Sequence, residues 1–269
     1  MQSLTSLLGI DEKLKRAKSH ISNLNMEISR FCASNPYTVR IQEDTDEATG
    51  DIVGRLISER NREVPAADPQ WILIASETIY HLRSALDHLI YQLVILNGQE
   101  KKIINSRKHQ FPIFDKKEDY DKISSRMIDG ISLAASDLIK SEQPYARSPH
   151  APRSDFLWIL QDLNNTDKHR VIPVSVIGIG GVTGSDDVGA TLFRLISPDI
   201  QLEDGKVFWT FRTPARRYDN INAEISSSVA FEQAMSTVPG GPTTSLHIVL
   251  WHVYYRVDSL INLFRQMFM

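Results

Sequence analysis

The sequence predicts an α+β fold: mainly an α-helical bundle, with a β-hairpin inserted early and a small antiparallel sheet before the C-terminal helix. Three observations predict it. Residues 68–98 read as one long apolar helix with clear ends. Apolar seams at helical spacing recur at 8–34, 152–168 and 243–268. Between 171 and 232 the period changes to the alternation of strands, broken by Gly, Pro and Asp.

In chain order, Ile10, Leu14, Ala17, Ile21, Leu24, Ile28 and Phe31 step by alternating fours and threes, a regular seam beneath a face bearing Lys and Arg. Such a seam suits a bundle or a second copy of the chain. Pro36 ends this helix, and 37–42 and 52–57 alternate as the strands of a hairpin with a long acidic loop. Glu43, Asp44, Asp46, Glu47 and Asp51 lack the spacing and closing Glu of an EF-hand, so a solvated loop is expected there.

The helix at 68–98 is capped by Asp68 with Pro69 at its first position, and Asn97 and Gly98 stop it. Its apolar residues outnumber one stripe, so burial on most sides is expected. A basic loop follows, with Lys101, Lys102, Arg107, Lys108 and His109. Phe111, Pro112, Ile113 and Phe114 then plug the core. Helices over 115–129, capped by Asp115, and 132–141 lead through a Pro- and Ser-rich loop to the helix at 152–168. That helix runs into 164–170 (NNTDKHR), whose Asn and Asp residues favour an end, with Asp167, Lys168, His169 and Arg170 at it.

Strands are expected at 171–179, 190–197, 206–212 and 227–231. The glycines of 178–184 (GIGGVTG) lack the dinucleotide-loop spacing and read as a flexible hairpin loop. Arg212, Arg216 and Arg217 read as a solvated edge. A last helix over 243–268 can be capped by Thr243, Thr244 or Ser245. The residues 1–269 are read as a single domain, with a helical core at 8–34, 68–98, 115–141, 152–168 and 243–268 and β insertions at 37–58 and 171–232.

Composition narrows the function. The chain has 269 residues, 42% hydrophobic and 23% charged, as in ordinary globular proteins. A formal net charge of −3 gives no global attraction to nucleic acid, so any such contact must be a local basic patch. The single cysteine, Cys32, excludes an intrachain disulfide and fits a reducing, cytoplasmic location. No apolar run reaches the roughly 18 residues of a membrane span, and no signal peptide pattern opens the chain.

The candidate chemistry lies in the apolar helix, which carries His81, Arg83, Asp87 and His88. Buried polar groups must pair or face a cleft. Arg83 and Asp87 stand four apart and can pair; His81 and His88 stand seven apart on one face. Asn165, Asp167, Lys168, His169 and Arg170 are a candidate second wall. Metal binding by His81, His88, Asp167 and His169 is disfavoured, because two turns separate the first two by about 10.5 Å. No metal and no cofactor is expected. A hydrolase built on Cys32 or a GxSxG serine lacks its signature. Metal-free phosphodiester cleavage needs an Arg to neutralise the phosphate and a His to move a proton, and Arg83 and His88 supply that pair. The competing expectation is a packing network in a non-catalytic interaction module, with a metal-dependent hydrolase third.

The pattern Arg83-x(4)-His88 in a buried helix resembles the HEPN superfamily, whose signature is Arg, four to six residues, then His. The segments 81–88 (HLRSALDH), 111–114 (FPIF), 143–145 (QPY) and 163–170 (LNNTDKHR) also resemble a group of bacterial helical proteins without an assigned activity. The HEPN resemblance implies a metal-independent endoribonuclease or RNA-binding protein. It also implies a homodimer with two Arg/His sets facing each other, and a role as a toxin or in phage defence. It implies Arg83 as the phosphate-binding residue and His88 as the acid/base.

Overall fold

The computed structural model describes residues 2–104, 108–169, 174–185, 191–214, 220–231 and 245–269, and the protein is α+β. The sequence reading takes 1–269 as a single domain; the contacts gather into two compact units. The first comprises Met1–Asn25, Gln70–Pro173 and Gln233–Met269, the second Met26–Pro69 and Val174–Glu232.

The first unit is helical. Helix α1 (Gln2–Ala33) begins earlier than its seam predicts and contributes to both units. Its seam residues Ile10, Leu14, Ala17, Ile21, Leu24 and Ile28 are buried. The central helix is α2 (Gln70–Leu96), buried along Leu82, Ala85, Leu86, Leu89, Ile90, Leu93 and Val94. It ends at Leu96, and Gly98 just beyond has a φ of 68°, in the left-handed region. The Gly98 amide donates to the Ile95 carbonyl (2.8 Å) and the Gln99 amide to that of Val94 (3.1 Å).

After α2 come α3 (Glu100–Ile104), α4 (Lys117–Met127), α5 (Leu133–Ser141), α6 (Pro144–Arg147), α7 (Phe156–His169) and α8 (Leu246–Arg265). Helices α2, α7 and α8 pack on one another. Their inner faces carry Leu86, Leu157, Leu160, Leu163, Val253 and Leu260, all fully buried. Each such leucine contributes roughly 1.5–3 kcal/mol relative to exposure. Phe111 is buried beside α2, as the plug expectation requires.

Several expectations are corrected here. Lys101 and Lys102 lie in the short helix α3, not in a loop; Arg107 lies outside the described residues. Asp115 does not cap α4, whose N-cap position is Lys116; its carboxylate accepts from Arg153 Nε at 2.8 Å. Helix α7 begins at Phe156, later than the expected 152, and ends at His169, within the expected end at Asp167–Arg170. Ser245 stands at the N-cap position of α8, while Thr243 and Thr244 lie outside the described residues.

The second unit is β. Strands β1 (Tyr37–Thr45) and β2 (Asp51–Arg60) form the predicted hairpin, longer than its alternation suggests. The hairpin does not stand alone: β5 (Lys206–Pro214) pairs antiparallel with β2. Gly54 opposes Phe211 there, and a β-carbon at Gly54 would overlap the Phe211 ring. The acidic loop has a structural use. Arg212 pairs with Asp46 at 2.7 Å and Asp51 at 3.6 Å, so it is no free edge cation. The Ala48 amide, ahead of Arg212, holds the Asp46 carboxyl below its usual range. Arg216 and Arg217 lie outside the described residues.

A second antiparallel sheet has the order β4 (Thr191–Gln201), β3 (Val174–Ser185), β6 (Asn220–Phe231). The glycine-rich segment 178–184 is therefore part of a central strand, not a loop. Its first glycine is structural: a β-carbon at Gly178 would come within 2.7 Å of the Ile225 side chain.

Candidate functional site

Helix α2 carries the candidate residues on two sides. With about 100° per residue, Ser76, Arg83 and Asp87 fall on one flank, His81 and His88 on the other, and Leu73, Tyr80, Ser84 and Tyr91 on the outer face between them.

On the first flank Arg83 turns inward. Its side chain is 8% exposed against 32% for Asp87, and the two pair at 2.9 Å. The same guanidinium donates to the Phe111 carbonyl at 2.7 Å. The Phe111 amide in turn donates to Asp87 at 2.9 Å. This closed network ties the 111–114 segment to α2, and it leaves only Arg83 Nη1 without a partner. Burial pushes the Asp87 carboxyl up, against the pull of Arg83, the Phe111 amide, Lys168 and His88. Burial likewise depresses Arg83, which stays charged.

Helix α7 brings two of its expected residues to the same flank. Ser76 donates to Asp167 at 2.5 Å. Lys168 is exposed and close enough for its charge to act on Asp87. Asn165 is exposed and accepts from Gln161 at 3.2 Å within α7. Asn164, which opens the 164–170 segment but is not among its candidate site residues, is buried with its amide nitrogen unpaired. The His169 side chain and all of Arg170 lie outside the described residues.

The other flank faces α1, which runs antiparallel along α2. A β-carbon built at Gly9 would meet His88 Nδ1 at 3.4 Å. The Lys13 ammonium stands over the Tyr80 ring, 5.8 Å from its centroid. His20 stacks on His81 with centroids 5.8 Å apart and planes at 19°, and Tyr80 meets His81 edge-on at 5.8 Å. Glu77 lies 3.4 Å from His20 Nε2. Tyr80 is 60% exposed, so this aromatic and cationic surface is open.

All three imidazoles are driven toward the neutral form. For His20 the cause is burial, with Arg16 adding and Glu77 opposing. For His81 it is burial, then Lys13, His20 and Arg16, against Glu77. For His88 it is burial, then Lys13, against Asp87.

The structure thus joins Arg83 to Asp87, and Asp167 and Lys168 to the same flank, but it sends Arg83 and His88 in different directions. Among the described residues they share no hydrogen-bond partner, although the Asp87 charge acts on both, and about 140° of helix turn separates them. Lys13, Arg16 and His20 escaped the sequence reading. Their spacing of three and four puts them beside the α1 seam, and that stripe was the available signal. Among the described residues no three His, Cys, Asp or Glu side chains gather to hold a metal ion, and no helix is long and apolar enough to cross a membrane. Cys32 is half-buried, and burial raises its thiol. Comparisons with protein-family models, with curated proteins and with solved structures found no match to this chain.

Proposed function

We propose that the protein binds single-stranded RNA across the outer face of α2 and the adjoining face of α1. The observation that carries this reading is the Lys13 ammonium over the exposed Tyr80 ring, flanked by Arg16, His20, His81 and His88. Cations beside an exposed aromatic ring are what a flexible polyanion of stacking bases requires. The chain's overall negative charge does not oppose a local contact, since screening confines the interaction to about a Debye length.

Under this reading Arg83 shapes the site rather than clamping phosphate. Its guanidinium is committed to Asp87 and Phe111. His88 is the exposed group available to move a proton, so metal-independent cleavage is the activity to look for first. The HEPN-like resemblance adds a homodimer and a toxin or defence role to the proposal, and the single cysteine a cytoplasmic setting.

The experiment incubates wild type and His88→Ala with single-stranded and structured RNA in EDTA, and reads both binding and cleavage. Cleavage by wild type alone supports an endoribonuclease. Binding by both without cleavage supports an RNA-binding protein. Absence of binding sinks the RNA reading. It would favour a second one, a non-catalytic interaction module whose partner is another copy of the chain. That reading rests on exposed Leu73, Tyr80 and Tyr91 in one row of α2, above the closed Arg83–Asp87–Phe111 network. Sedimentation of wild type against Leu73→Ser/Tyr91→Ser tests it.

A further inference from the structure

We infer that the seam between α1 and α2 is a proton-gated anion site, in which His20, His81 and His88 take up protons as the phosphodiester backbone of the RNA docks beside Lys13 and Arg16. The inference rests on the RNA reading for its ligand and on the seam's geometry for its gate.

Three observations carry it. The first is juxtaposition: His20 and His81 are stacked, His88 lies against Gly9, and Lys13 spans the gap over Tyr80. The second is unmet bonding. His81 Nδ1 is buried and makes no hydrogen bond, while buried His20 Nε2 has only the Glu77 carboxylate near it, at 3.4 Å. A ring nitrogen buried without an acceptor is a poor place for a proton, so the neutral tautomer of His81 keeps its N–H on the other nitrogen. The third is charge. Lys13 and Arg16 face the histidines from α1, while Glu77 and Asp87 face them from α2, and Lys168 of α7 acts on Asp87.

With no ligand, burial disfavours a proton on His81 and His88, and Lys13 adds to that at both, Arg16 at His81. A phosphate between these cations reverses the sign of the local field. Protonation then becomes favourable, and each imidazolium gained is a new charged donor to the ligand. Binding and protonation are thereby linked: one proton taken up per complex changes affinity about tenfold per pH unit.

The test measures fluorescence anisotropy of the full chain with oligouridylate of about 12 nucleotides, and with polyphosphate, from about pH 7.5 to about pH 5.5. Affinity for both probes is expected to rise at least tenfold on acidification. His20→Gln/His81→Gln should flatten that rise, and Lys13→Gln should weaken binding at every pH. Lys122→Gln, on α4 away from the seam, should change nothing. Histidine NMR titration of the folded variants guards against misfolding and should show the ring pKa values of wild type rising on addition of polyphosphate. Pronounced pH dependence with polyphosphate but no binding of RNA would keep the gate and overturn the RNA reading. RNA binding that ignores pH, or that survives in the double histidine variant with its pH dependence intact, would overturn the gate alone. No binding of either probe would overturn both.

Discussion

Asp87 is where burial and pairing meet most sharply, because it neutralises Arg83 and also accepts the Phe111 amide. Asp87→Asn keeps the shape and removes the charge, leaving a buried guanidinium facing a neutral partner. Breaking a fully buried pair costs roughly 3–5 kcal/mol, and Asp87 is partly exposed, so a loss of about 2–3 kcal/mol is expected. A urea titration with unchanged slope should show a lower midpoint, the shift multiplied by the slope giving that amount. A variant as stable as wild type would remove the network from the list of structural supports. The histidines of the α1–α2 seam make a second claim at this scale. Their pKa values in the fold lie below the unfolded value of about 6.5. The unfolded chain therefore binds more protons in the acid range. Stability is complete above about pH 6.5 and is lost as pH falls through the folded pKa values. His247, depressed by burial, adds to the same slope. Melting temperature should thus fall on acidification, less steeply in His20→Gln/His81→Gln, and polyphosphate should restore part of the loss in wild type only.

At the scale of elements, two glycines separate conformational from steric demands. Gly98 ends α2 at positive φ with nothing within 4 Å of a built β-carbon. Gly98→Ala should cost only the backbone preference, about 1 kcal/mol. Gly54 instead lies under the Phe211 ring in the β2–β5 pair. Gly54→Ala should cost more, about 1–3 kcal/mol of overpacking, and Phe211→Leu should relieve part of it. Denaturant midpoints of the three variants decide whether that ranking holds. The same contrast explains what could be read from the chain. The α1 and α2 seams were legible because helical periodicity reports burial directly. The segment 178–184 was misread because its glycines answer to cross-strand neighbours such as Ile225, which local sequence does not display. The end of α7 was legible as well: Asn and Asp in 164–170 favour an end, which is expected at Asp167–Arg170, and α7 ends at His169. The pairing of Arg83 with Asp87 was foreseeable from its spacing of four. Its closure onto Phe111 was not, since 28 residues separate Arg83 from that carbonyl. Lys13, Arg16 and His20 joined the site for a similar reason: only antiparallel packing of α1 on α2 brings them to His81.

At the scale of the whole molecule, charge is the deciding quantity. The formal net charge is −3, with 33 acidic against 30 basic side chains. Long-range steering of a polyanion is therefore absent, and affinity must come from the few cations of one face. Many other basic residues are already engaged. Arg83 is held by Asp87, Arg153 by Asp115 and Arg212 by Asp46, while Arg256 is held by Glu142 at 3.0 Å. At the α1–α2 seam Lys13, Arg16 and one or two protonated histidines face the ligand. For single strands the slope of log affinity against log salt is about −0.7 per phosphate neutralised, so a slope of roughly −2 to −3 is expected near pH 6. It should approach roughly −1 to −1.5 above pH 7.5, when the histidines are neutral and Lys13 and Arg16 act alone. Anisotropy titrations across a salt series at both pH values check this. A slope that is the same at both would mean that the histidines carry no ligand charge. A slope several-fold steeper would place the main contact on cations elsewhere in the chain.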